Sequence, residues 1–222
     1  MLALAADRDE AEPAPTTLRF GARAQVIDRL DASSASCAVW RRHLPKGLST
    51  WLDGLVFPMP RQGRWQLAPD TPLAPTVRTW LGAWLAGVAA PDPRWVDDIA
   101  TLLALARRGA GRMPLAVRLD VVANDGCRLF HVDRLRVRWI CTYRGAGTQW
   151  LEDGAFDRGG LGRGSNAHVL DWRAIGQFEA GWFAAMRGDR WPGAQGRGFV
   201  HRSPPASAAA PRIVLAIDAN GD

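Results

Sequence analysis

In the stretch CRLFHVD, residues 127–133, an imidazole and a carboxylate stand two positions apart. On an extended chain, residues i and i+2 project from the same face. His131 and Asp133 then point together, close enough to share one metal ion. A neutral imidazole and a carboxylate on one face are two ligands of a 2-His-1-carboxylate site, and the third must come from elsewhere. With four histidines in the chain, the choice is narrow. His43 falls in a stretch that reads as helix and suits a surface or capping role; His168 lies in a glycine-rich loop. His201 sits in GFVHRSPP, where Pro204 and Pro205 fix the path into the last strand. His131, Asp133 and His201 are therefore the candidate metal ligands. On its own H-x-D is a weak signal, and an ordinary solvated pair on an edge strand has the same spacing.

Two thiols could join such a site. Cys127 is four positions before His131, on the same strand face, and Cys141 lies in the following strand on the face of Trp139 and Tyr143. With either, the donor set becomes N/O/S and suits zinc. The plain alternative for both is a small buried hydrophobe.

The elements that must position these residues divide the chain by texture. Residues 18–112 read mostly as helix. APDPRWVDDIATLLALARRGAG offers Asp92 as a cap, Pro93 at the first helical position, and Gly109 or Gly111 as a stop. Trp95, Ile99, Leu102, Leu103 and Ala106 share one face of it. TVRTWLGAWLAGVAA is a second apolar helix, and CAVWRRHLPKGLSTWLDGL suggests two short helices broken at Pro45. The tryptophans of this half are expected to pack against the outside of a β structure. From residue 113 the period changes to two: Leu115, Val117, Leu119 and Val121 alternate with Arg118 and Asp120. NDG at 124–126 predicts a hairpin whose return strand runs from Cys127 to Asp133. RVRWICTY is a further strand, TQWL its expected partner, and RIVLAID the last. Residues 153–170 are a long glycine-rich loop suited to a lid. Residues 172–187 allow either a helix or two strands. The expected organisation is a tail over 1–17 and a single domain over 18–222, with a helical layer at 18–112 and a β core at 113–218.

Net charge is +6, with a pI near 10.4, carried almost wholly by arginine. The arginines are scattered rather than gathered in a stripe, which argues against a nucleic-acid patch. No apolar run is long enough for a membrane helix. The N-terminal MLALAADRDEAEPAPTT lacks the basic start of a secretory signal. Three widely spaced cysteines fit reduced thiols and a cytoplasmic location. GGLGRG at 159–164 lacks the Lys-Ser/Thr of a phosphate loop.

The order H-x-D, then a distant His, then a basic residue a short way on resembles the layout of the iron(II)/2-oxoglutarate dioxygenases. ICTYRGAGTQWL is similar to a stretch of the prolyl-hydroxylase-like members, with Thr142, Tyr143, Gly147 and Thr148 at matching places. The resemblance implies an α+β protein built on a double-stranded β-helix, a cupin-like jelly roll, behind a helical N-terminal layer. It also implies FEAGWFAAMRG as a strand. Fe(II) would be held by His131, Asp133 and His201. Arg212 would pair with the distal carboxylate of 2-oxoglutarate, assisted by Tyr143, the only tyrosine; Arg202, Arg138 or Arg144 could serve in place of Arg212. Such a centre couples decarboxylation of 2-oxoglutarate to oxidation of a substrate, whether small molecule, peptide side chain or modified nucleic acid.

The chain resembles more closely the bacterial family called domain of unknown function 1826. The matching stretches are VWRRHLP, CRLFHVDRLRVRWICTYRGAGTQWL and GFVHRSPPASAAAPRIVLAID, spanning most of residues 35–218. That resemblance implies a second role, zinc binding in metal homeostasis without catalysis. A β-helix that has lost its chemistry and binds a partner is a third.

Overall fold

The computed structural model describes residues 18–30, 35–58, 60–124, 126–193, 196–205 and 208–220; the tail expected over 1–17 lies outside them. Three elements follow directly from periodicity. In helix α4 (Pro93–Ala110), Asp92 accepts a hydrogen bond from the Arg94 amide, and Gly111 ends the helix at φ 64°, a conformation open to glycine. Its Trp95, Ile99, Leu102, Leu103 and Ala106 face is buried as expected. Strand β4 (Leu115–Val122) buries every second side chain. Strand β5 (Val137–Arg144) does the same over most of its length and ends at Gly145, φ 82°.

The N-terminal half is less helical than its sequence suggests. Besides α1 (Gln25–Asp28), α2 (Leu48–Asp53), α3 (Leu73–Trp84) and α4, it supplies strands β1 (Leu18–Gly21), β2 (Cys37–Trp40) and β3 (Gln62–Leu67). CAVW is thus a strand rather than the first of two short helices. All four of its residues lie between β1 and β8 (Phe183–Arg187), buried on both faces apart from the end at Trp40. Such a continuous apolar run gives no period by which to tell strand from helix. β3 is an edge strand of mostly polar residues, with little strand signal of its own.

A seven-stranded sheet has the order β1-β2-β8-β5-β10-β4-β3, where β10 is Arg212–Ala219; it is antiparallel except for the β1–β2 pair. A three-stranded sheet has the order β7-β6-β9, from Gly176–Gln177, Gln149–Trp150 and His201–Arg202. One face of the large sheet packs on the helices through Val117, Leu119, Trp139, Cys141, Ile213, Leu215 and the α4 tryptophan. The other meets the small sheet, where Phe178 and Phe199 pack with Val39, Ala184 and Met186. This is a double-stranded β-helix with helices laid over its outer face, and the tryptophans of α3 and α4 belong to that buttress.

Two expected pairings do not form. β6 joins the small sheet instead of pairing with β5, whose edges are taken by β8 and β10. Residues 127–133 do not return along β4, because β3 and β10 occupy both of its edges. They cross to the small sheet, where His131 makes an isolated antiparallel bridge with His201. The segment 172–187 resolves into β7 and β8 after a short 3-10 turn at Trp172–Ala174.

Candidate metal centre

The bridge between His131 and His201 builds the site. Each residue donates its amide hydrogen to the other's carbonyl at 3.0 Å, which sets the two rings side by side with centroids 4.6 Å apart. Asp133, two positions on, projects to the same place. Its Oδ2 lies 3.3 Å from His201 Nε2, and its Oδ1 3.6 Å from His131 Nε2. Ligand atoms of the three side chains all fall within 4.8 Å of one another.

Hydrogen bonds behind the rings fix which nitrogen faces inward. His131 Nδ1 donates to the Leu129 carbonyl at 2.8 Å and His201 Nδ1 to the Phe199 carbonyl at 3.1 Å. A carbonyl only accepts, so each Nδ1 carries a proton, and each Nε2 faces Asp133, presenting a lone pair to a cation when it is unprotonated. Asp133 Oδ2 is buried without a hydrogen-bond partner. Two lone pairs and a carboxylate oxygen converge, an arrangement that a cation or added protons must balance. Burial disfavours the ionised form of Asp133. His201, His131 and Arg138 outweigh it and hold the carboxyl far below the usual range. Burial likewise opposes the imidazolium of His131, while Asp133 and the Leu129 carbonyl raise its pKa on balance. The donor set fits a divalent transition metal.

Arg138 anchors the carboxylate from the outside. Its Nη1 donates to Asp133 Oδ1 at 2.7 Å, while Nε and Nη2 grip Asp218 at 2.7 and 2.9 Å. The loop at 153–170 is a brace rather than a loose cover. Phe156 bridges Val169, and these two pack with Phe130, Leu151 and Val200 directly behind both histidines. Asn166 accepts from the Phe130 amide at 2.8 Å and donates to the Arg128 carbonyl at 3.2 Å. His168 is buried within this loop and outside the triad, and His43 is exposed.

Beside the triad, a cavity of about 270 Å³ opens between the sheets. Arg118, Arg138, Ile140, Val214, Ala216 and Arg212 line it from the large sheet, His201 and Arg202 from the small one. Arg212 is 3% exposed, and its Nε donates to the Ala146 carbonyl at 2.5 Å. A Cβ at Gly145 would come within 2.9 Å of its Cγ, so glycine there admits the arginine. Burial lowers the Arg212 pKa to about 10, and no carboxylate among the described residues compensates its charge.

Tyr143 is not in this cavity. It stands on the helix side of β5, its hydroxyl donating to Asp98 at 2.7 Å and its ring packed on Trp95. β5 alternates, and Leu215, the register partner of Cys141, faces the helical core, so Cys141 and Tyr143 face it too. Cys141 is thereby removed as a ligand; Cys127 lines the cavity but is outside the triad. Arg144 also turns away, donating to the Leu52 and Leu55 carbonyls. Asp218 and Asn166 had no sequence signal as site residues. Asp218 shares the parity of Arg212 on β10, a clue usable only once the inward face is known.

The fold is thus a double-stranded β-helix in which His-x-Asp and a distal His bridged to it bring three candidate ligands together. The chain belongs to the family of proteins of unknown function DUF1826, whose model matches residues 21–218. No functionally curated protein matches it in sequence. Among solved structures it is similar to dioxygenase for auxin oxidation 1 from Arabidopsis thaliana, a 2-oxoglutarate complex, at 12% identity over 93% of each chain with a TM-score of 0.49. The rice dioxygenase for auxin oxidation matches at 17% identity over 93% of this chain and 83% of that one, TM-score 0.46. A Pseudomonas putida prolyl-4-hydroxylase matches at 12% identity over 90% and 99%, TM-score 0.42.

Proposed function

We propose that this protein is an oxygenase with a mononuclear iron(II)/2-oxoglutarate-type centre. One observation carries the proposal: His131, Asp133 and His201 converge on one point beside a small cavity that also contains a buried, uncompensated arginine. The triad would hold Fe(II) on one side and leave the cavity side for ligands. Bound iron would supply the O₂ chemistry that no side chain offers.

The chain's own residues would do the rest. Arg212, fixed by the Ala146 carbonyl, would take the distal carboxylate of 2-oxoglutarate, whose charge offsets a guanidinium otherwise buried alone. Ile140, Val214 and Ala216 give the cavity an apolar wall that limits water. Arg138 would keep Asp133 ionised and oriented. With Cys141 on the far side and Cys127 outside the triad, no N/O/S set forms among the described residues.

The test is anaerobic titration of purified apo-protein with Fe(II) and, separately, Zn(II), with and without 2-oxoglutarate. A weak visible charge-transfer band that needs both iron and 2-oxoglutarate, and is absent from His131→Ala, is the expected result. Tight zinc binding with no such band would overturn the oxygenase reading in favour of metal handling.

A further inference from the structure

The cavity beside the triad contains four guanidiniums, and their charges are matched unequally. Arg118 and Arg138 both pair with Asp218, and Arg138 also with Asp133. Asp120, the one acid among the described residues that line the cavity, is paired with Arg64. Arg212 and Arg202 meet no carboxylate among the described residues. If 2-oxoglutarate takes Arg212, one uncompensated cation remains.

Arg202 is held as a fixed fork. It directly follows His201 on β9, and its Nε donates to Gln149 Oε1 at 2.8 Å across the pairing of β9 with β6. Its guanidinium lies over the Phe130 ring at 4.5 Å and against Trp172 at 5.6 Å. Cation–π contact with two rings restrains the guanidinium and leaves its terminal N–H groups for another partner. Trp172 is 53% exposed, so an open indole stands beside this fork.

We propose that Arg202 reads the substrate, and that the substrate is a small molecule carrying a carboxylate or phosphate group. Its link to catalysis rests on the oxygenase reading above; the anion site itself does not. A planar guanidinium pairs with two oxygens of either group through parallel hydrogen bonds. A cavity of about 270 Å³ suits a metabolite-sized molecule better than a folded macromolecule. Arg202 touches substrate in this account, whereas Gln149 and Phe130 position it.

Zn(II)-loaded full-length protein with saturating 2-oxoglutarate is titrated with benzoate, phenyl phosphate and neutral benzamide, followed by calorimetry and tryptophan fluorescence. One or both acids should bind saturably and benzamide should not; the tighter acid identifies the preferred group. Arg202→Met should weaken that binding by about tenfold or more, the loss of a charge-assisted pair. Arg202→Lys, which keeps the charge and spares the fold if methionine does not, should fall between. Arg212→Met should lose 2-oxoglutarate and keep the acid. The proposal is overturned if the acids bind no better than benzamide, or bind equally to both Arg202 variants. It also fails if 2-oxoglutarate is lost with Arg202 and retained without Arg212. Acid binding that follows Arg202 in a protein with no affinity for 2-oxoglutarate would sink the oxygenase reading and leave this site standing.

Discussion

His131 and His201, far apart in sequence, are direct cross-strand partners joined by two reciprocal amide-to-carbonyl hydrogen bonds of 3.0 Å. The separation of the two imidazoles is therefore set by backbone pairing rather than by side-chain contacts alone. A site placed on paired backbone is held more tightly than one on free loops.

Replacing any one of His131, Asp133 or His201 by alanine should reduce divalent-metal affinity by more than about 100-fold, beyond the usual effect of an outer-shell change. Each variant should keep its thermal midpoint within a few degrees if the backbone bridge persists. Metal content after dialysis and calorimetric titration give the answer; three variants with wild-type affinity would remove the centre.

Arg138→Leu removes a partner shared by two acids, the half-buried Asp133 and the buried Asp218. Stability should fall by about 1–3 kcal/mol, because Asp218 is left with Arg118 alone and Asp133 with the two histidines. Urea unfolding measures this directly. An unchanged midpoint would mean that the acids find water or a new partner.

Tyr143→Phe should leave metal and 2-oxoglutarate binding unchanged, since the ring faces Asp98 and Trp95 rather than the cavity. Its cost should be about 1–3 kcal/mol, from the hydrogen bond lost by a buried carboxylate. A loss of 2-oxoglutarate binding in a stably folded variant would return Tyr143 to the site.

Burial, with Asp98 beside it, raises the Tyr143 pKa well above its ordinary value. The folded state then holds the phenolic proton at pH values where the unfolded chain releases it. That contribution is fully present below the unfolded pKa and is lost as pH rises above about 10 towards the folded value. Tyrosinate absorbance should stay absent in the native protein at alkaline pH and appear with unfolding. With a single tyrosine in the chain, the signal has one source.

Gly147→Ala should destabilise the join between the sheets. A Cβ there would run into the Phe178 carbonyl, while the Phe178 amide is bonded to the neighbouring Thr148. Backbone cannot move aside as a flexible side chain can, so a loss of about 1–3 kcal/mol is expected from overpacking. Denaturant midpoints of the alanine variant and wild type decide it.

The sequence by itself determined the candidate ligands and the strongest elements. With four histidines and one H-x-D, the triad was nearly forced. α4, β4 and β5 carry their periods and end signals in local residue order, and β10 its unbroken apolar run, which is why they were legible. Partner choice was not local. NDG promised a hairpin for β4, yet both edges of β4 are filled by β3 and β10, strands distant in sequence. Parity along β5 put Trp139, Cys141 and Tyr143 on one face and left open whether that face meets helix or cavity. Packing of α4 decided it: Trp95 covers that side and Asp98 takes the Tyr143 hydroxyl. Short-range spacing fixes which residues travel together; only the closing of the two sheets and the helices fixes which side becomes the site.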